Sequence, residues 1–158
     1  MKTKKSGIVE ELKEKHKERL ARVQQDWKKE QAEHRKRSDN YISDITMFSK
    51  WAYRVGKGWY GFSLGNVPRV WTDLLDDFLT WLESQCPDFE IHQIKMKLGS
   101  VRVYVDPKTN DKTLNAAVHA ECWKLMDLLR TPQNIKINQA ARRADAARKK
   151  RRKHSRTK

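Results

Sequence analysis

Between Ile8 and Arg37 the chain has no proline and is built mostly from Glu, Lys, Arg, Gln and Ala, residues favourable in helices. Within that stretch Val9, Leu12, His16, Leu20, Val23 and Trp27 recur at steps of three and four, which draws one narrow stripe along a helix. Glu10–Lys13, Glu11–Lys15, Glu14–Lys17 and Glu18–Arg22 stand at i,i+3 or i,i+4, where opposite charges support the solvated faces. The spacing predicts one long charged helix with a basic far end, His34-Arg-Lys-Arg37. Its stripe can dock on the rest of the chain or pair with a second copy as a short coiled coil, giving a homodimer. As a third use, the helix can lie on nucleic acid.

The middle of the chain is richer in apolar residues and changes rhythm. Ile42, Ile45, Phe48, Ala52 and Val55 share one face of a short helix over 41–55. Gly56, Gly58, Gly61 and Gly65 then punctuate an aromatic loop that holds Trp59, Tyr60 and Phe62. Asn66 is placed to cap the next helix, and Pro68 is tolerated in its first turn. Val67, Val70, Trp71, Leu74, Leu75, Phe78, Trp81 and Leu82 give that helix a wide apolar face, and it should end near Ser84, before Pro87.

Two strands follow. Phe89, Ile91, Ile94 and Met96 lie among polar residues, with a register break expected at Gln93–Ile94, and Val101, Val103 and Val105 alternate at strict period two. Gly99 between them suits a tight hairpin turn. Leu114, Ala117, Val118, Cys122, Leu125 and Leu129 then mark a second core helix, stopped by Thr131-Pro132. This order predicts an α+β fold, a small antiparallel hairpin covered by helices, because an uncovered hairpin is barely stable.

Charge divides the chain in the same places. Of 158 residues, 35 are Lys or Arg and 20 are Asp or Glu, a formal charge of +15. Residues 41–130 hold 11 of each sign, and 13 of the 14 aromatics lie there. Residues 131–158 hold 11 basic residues against one acid, Asp145. The expected organisation is a charged helix over 1–40, a globular domain over 41–130 able to fold alone, and a basic tail over 131–158, disordered or helical on binding. No run of apolar residues is long enough to span a bilayer, and the basic start meets Glu10 and Glu11 without the apolar core of a secretory signal. Two cysteines, Cys86 and Cys122, are too few for a disulfide framework. A cytoplasmic, reduced setting and no membrane partner are therefore expected.

Gly58-Trp-Tyr60, then an amphipathic helix, then Gln93-Ile-Lys-Met-Lys-Leu-Gly-Ser-Val-Arg-Val-Tyr104 resembles a group of small uncharacterised phage and bacterial proteins. Their hallmark is a G-[DK]-G-W-Y segment followed by a Q-[IV]-K-E-K-[FL]-G-x-[LV]-R-[FIV]-Y hairpin. The resemblance runs from Gly56 to about Leu129 and implies a shared small α+β fold in a phage or prokaryotic setting, so the host cytoplasm if phage-encoded. It implies no activity. Many members continue into a Cys-x-x-Cys pair like a zinc ribbon; this chain has none, so no metal role carries over.

Candidate chemistry is sparse. His119-Ala-Glu121-Cys122 offers the His-x-Glu of a zinc deaminase without the later Pro-Cys-x-x-Cys, and Cys86-Pro87 lies upstream in the wrong order. Both cysteines read as small buried hydrophobes. Asp73, Asp76 and Asp77 share a helix side but lack a ligand-bearing loop, and read as solvated surface. The glycines fit neither phosphate-binding spacing. No enzyme, cofactor or metal is expected.

The binding signals are stronger. Trp51, Tyr53, Trp59, Tyr60 and Phe62, with Lys50, Arg54 and Lys57 among them, could stack on bases or meet a partner protein. Alternatively, as their place in the hallmark implies, Trp59 and Tyr60 cap the core. Lys95, Lys97 and Arg102 should project together from the open side of the hairpin. The alanine-rich tail carries Arg142, Arg143 and an unbroken basic run Arg148, Lys149, Lys150, Arg151, Arg152, Lys153. Self-repulsion frays such a tail, and a polyanion relieves it. Its composition also resembles the arginine-rich peptides with which some phage proteins bind RNA hairpins. In a eukaryote the run would read as a nuclear localisation signal, a setting the resemblance argues against. The tail lacks the apolar face that anchors a helix on a membrane. The expectation is a nucleic-acid-binding accessory protein, DNA slightly favoured over RNA. The competing expectation is a phage factor that binds host machinery through the aromatic loop or the N-terminal helix.

Overall fold

The computed structural model describes residues 7–38, 49–59, 61–63 and 67–155. It is a mixed α+β fold, as the alternation of periods predicts. In chain order come α1 (Ile8–Lys15), α2 (Lys17–Gln25), α3 (Trp27–Ser38), a 3-10 turn (Ala52–Arg54), β1 (Gly61–Ser63), α4 (Arg69–Gln85), β2 (Glu90–Lys97), β3 (Ser100–Asp106), α5 (Lys112–Leu128) and α6 (Pro132–Ser155).

The N-terminal stretch is three helices, where the sequence predicts one. The interruption at His16 is slight: His16 N–H still donates to Leu12 O at 3.0 Å and Leu20 N–H to His16 O at 2.9 Å. That at Asp26 is a real break, with φ −137° and ψ 63°. Its carboxylate accepts from Lys29 N–H at 3.1 Å, so it caps α3 instead of continuing α2. The stripe does not wait for a second copy. Val9, Leu12 and Val23 are buried in the chain's own core, and Leu20 and Trp27 pack against it. The face that a coiled-coil dimer would use is thus occupied, and the core extends beyond residues 41–130.

Helix α4 meets the arm with its acidic side. Lys15 Nζ and His16 Nε2 reach Asp77 at 2.8 and 2.9 Å, and Arg19 reaches Asp73 at 3.2 Å. Asp76 accepts from Trp51 Nε1 at 2.7 Å and pairs with Lys50. Asp73 and Asp77 thus meet the arm and Asp76 meets residues 50–51; all three are half-buried and paired, where freely solvated surface was expected. Burial pushes the Asp77 carboxyl up, but hydrogen bonds from Lys15 and His16 outweigh it and hold the group below the usual carboxylate range. A carboxyl depressed by folding contributes stability that is complete above its unfolded value and fades as pH falls through the folded one. Melting temperatures of the protein and of Asp77→Asn should therefore differ most above about pH 5 and converge below about pH 4.

Three strands form one sheet in the order β1-β2-β3, with β1 parallel and β3 antiparallel to β2. The expected two-stranded antiparallel hairpin is therefore part of a mixed sheet. At three residues, β1 is too short to show a period of two. The register shift falls between Ile91 and Gln93, earlier than expected, and makes His92 the extra residue of a β-bulge. The turn uses Leu98 at φ 51° and Gly99 at φ 77°, the left-handed pair of a two-residue hairpin loop.

Ile91, Ile94, Val101, Val103 and Val105 bury one face of the sheet, and Leu74, Leu75, Phe78, Leu79, Leu82, Val118, Leu125 and Leu129 complete the core from the helices. Pro68 occupies the N-cap position of α4 without a side-chain capping bond; Asn66, proposed for that role, lies outside the described residues, as does most of the expected helix over 41–55. Leu74 and Leu125 are fully buried, so Leu74→Ala or Leu125→Ala should each cost about 2–5 kcal/mol in urea unfolding.

Candidate nucleic-acid interface

Helix α6 grows directly out of the hairpin. Thr131, read from the sequence only as part of a helix stop, also starts the next helix: its Oγ1 accepts from Asn134 N–H at 3.1 Å, and Pro132 takes the first helical position. The start is fastened to the β2–β3 turn. Thr131 N–H donates to Gly99 O at 2.8 Å, and Asn134 Nδ2 donates to Leu98 O at 2.6 Å. Val101 N–H donates to Leu129 O at 3.1 Å, and Gln24 of α2 ties down Arg130 O at 2.8 Å. A Cβ on Gly99 would stand 2.6 Å from Thr131 Oγ1, so the close approach needs glycine as much as the positive φ does.

Beyond this anchor the helix leaves the core. Thr131 and Asn134 are buried, Asn138 is half-buried, and every residue from Gln139 to Lys153 is exposed. At 1.5 Å per residue, its 24 residues reach about 36 Å. Successive residues turn by about 100°, so Arg148, Lys149, Lys150, Arg151, Arg152 and Lys153 ring the helix, with Arg142 and Arg143 a turn or two nearer the domain. Like charges at i,i+3 and i,i+4 destabilise a helix, and Asp145 is its only acid.

The face of the sheet opposite the core carries the second basic set. Lys95 lies directly across from Arg102, Lys97 across from Ser100, and Gln93 across from Tyr104. The three basic residues do share one face. Among the described residues Lys95, Lys97 and Arg102 have no acidic partner, whereas Lys108, two residues beyond the end of β3, engages both Glu90 at 3.2 Å and Asp106 at 3.3 Å.

The aromatic loop divides. Trp51 is buried against Phe89, its indole bound to Asp76, and is a core residue. Arg54 is stacked between the rings of Tyr53 and Phe89 and paired with Glu83 at 2.8 Å, and Tyr53 also bonds to Glu83. Trp59 is 51% exposed and stacks flat on the His92 imidazole, centroids 4.1 Å apart and planes within 6°. It does not cap the core. Tyr60 lies outside the described residues.

Two site features were not singled out from the sequence. Tyr104, 45% exposed, stands on the open sheet face beside the basic pair. Strict alternation with Val103 and Val105 was the signal that placed it there. The other is His92, whose role as the bed for Trp59 depends on the β-bulge, which local pattern does not reveal.

The remaining candidates settle into structure. His119 is exposed on α5, while buried Glu121 accepts from Val9 N–H at 3.0 Å and so satisfies the start of α1. Cys86 and Cys122 are free and buried, and burial pushes the Cys122 thiol up to about 12. Among the described residues no cluster of His, Cys, Asp and Glu could hold a metal, and no helix is long and apolar enough to cross a membrane. The chain matches no family model, no curated protein and no solved structure.

Proposed function

We propose that this protein binds nucleic acid through the phosphate backbone, as an accessory factor without catalytic activity. Arg142, Arg143 and Arg148 to Lys153 neutralise phosphates, and Lys95, Lys97 and Arg102 supply a second contact. The observation that carries the reading is the placement of α6: a helix ringed by basic side chains, exposed from Gln139 to Lys153 and fastened at its base to the sheet that carries the other basic set. DNA is slightly favoured over RNA, since duplex DNA is the commoner polyanion. The resemblance to phage and bacterial proteins fits action in a bacterial cytoplasm.

Such a helix is poorly held by its own side chains, polar all round and self-repelling. Phosphates would remove the repulsion, so binding and helix order are coupled in this reading. Fluorescence anisotropy with a labelled duplex compares the full chain with one ending at residue 137. The shortened chain should lose most of its affinity; unchanged binding would overturn the assignment.

A protein-interaction role has less surface to use, because the N-terminal stripe is buried within the chain. Tyr53 and Trp59 remain exposed. Capture of partners from a lysate that survives nuclease treatment would favour that role.

A further inference from the structure

We infer that the open face of the sheet is a stacking platform for single-stranded DNA, with Trp59 and Tyr104 receiving bases and Lys95, Lys97 and Arg102 holding the phosphates that continue towards the β2–β3 turn. This rests on the nucleic-acid reading of α6 and adds to it a strand state and the residues that touch bases.

The first support is the preparation of Trp59. An exposed tryptophan on a loop ordinarily samples several rotamers, and fixing it costs entropy on binding. Here one side of the ring is already laid flat on His92. The bulge that makes His92 the extra residue of β2 presents its ring to Trp59. Gly56 keeps the space clear, since a Cβ there would come within 3.0 Å of Trp59 Cδ1 and 2.9 Å of Glu90 Oε2. Half of the tryptophan surface remains accessible, so the indole is held yet open.

The second support is what surrounds it. Tyr104 projects from the same sheet face with nearly half its surface free, and the next cross-strand pair towards the turn is Lys95 with Arg102. Two rings at one end of the face followed by three cations at the turn end match a strand whose bases are unpaired. Stacking uses the π-face that every base has, while ammonium and guanidinium groups follow the backbone. A duplex keeps those faces inside its own stack and offers only phosphates. At the far end Glu90 and Asp106 share the single cation Lys108, so the positive charge facing the ligand is that of Lys95, Lys97 and Arg102 at the turn end.

The third support is continuity. Lys97 adjoins the Leu98–Gly99 turn, which is the anchor of α6. The occupant is taken as DNA because the platform adjoins the base of the helix for which DNA is proposed.

The test uses the full chain, an oligothymidylate of about 12 nucleotides and a blunt duplex of the same length, with the variants Trp59→Leu and Tyr104→Val. Each variant should weaken single-strand binding by roughly 5- to 150-fold and leave duplex binding unchanged. Thermal unfolding checks that each is folded, and if one is destabilised the other carries the test. Single-strand affinity unchanged in both, or an equal fall on both probes, overturns the platform. Tighter binding of oligouridylate than of oligothymidylate overturns DNA as its occupant. Wild-type protein that binds the duplex but no single strand removes the platform and leaves α6 standing; binding of neither probe removes both.

Discussion

Raising monovalent salt from about 50 to about 200 mM is expected to weaken duplex binding by three to four powers of ten. The expectation follows from the number of phosphates within reach of α6. If about 6–8 of its cations displace condensed counterions, log K falls against log[salt] with a slope of roughly −5 to −7. Replacing the six residues Arg148 to Lys153 with Gln preserves helix propensity and side-chain length while removing the charge. That variant should lose about five units of slope, about 0.9 for each cation removed, and what remains is carried by Arg142, Arg143 and the three basic residues of the sheet. A slope that stays steep would mean that the phosphates are held elsewhere on the molecule.

The largest effect on folding is expected at Trp51. Its ring is 2% exposed, packs on Phe89 at a centroid distance of 6.0 Å, and donates to Asp76 at 2.7 Å. Trp51→Ala removes a buried aromatic and deprives Asp76 of its indole donor, and should cost about 3–5 kcal/mol in chemical denaturation. Trp59→Leu, only eight positions later, should cost far less, because half of that ring is in solvent already. The contrast separates the two tryptophans by stability alone. Equal losses would place Trp59 in the core, the arrangement that the hallmark motif implies.

Those two tryptophans also show where local pattern stops being informative. Each sits beside basic residues in a glycine-punctuated stretch, and nothing in the spacing distinguishes the one that reaches Asp76 from the one that lies on His92. Where a run was long and periodic, as in α4, α5 and β3, pattern and structure agree, since burial of one face imposes the period. Where a tertiary partner decides, they part. Asp73 and Asp77 are soluble-looking helix positions until the arm brings Lys15, His16 and Arg19 to them, as Asp76 is until Lys50 and Trp51 reach it. Asp26 broke the predicted long helix through a capping bond that was visible in principle, an aspartate three residues before Lys29. Thr131-Pro132 carried a start signal along with the stop, and so the tail's attachment to the hairpin was missed. The basic side chains of the tail and of the sheet were legible as charge; that they belong to one surface depends on Asn134 reaching Leu98.

The most direct measurement is amide chemical-shift mapping of the isotope-labelled full chain during titration with a duplex. Binding as proposed here shifts the amides of residues 142–153 first and most, follows with Lys95, Lys97 and Arg102, and leaves the buried faces of α1 and α4 unmoved. Shifts confined to α1–α3, or a spectrum that the duplex does not change, would contradict it.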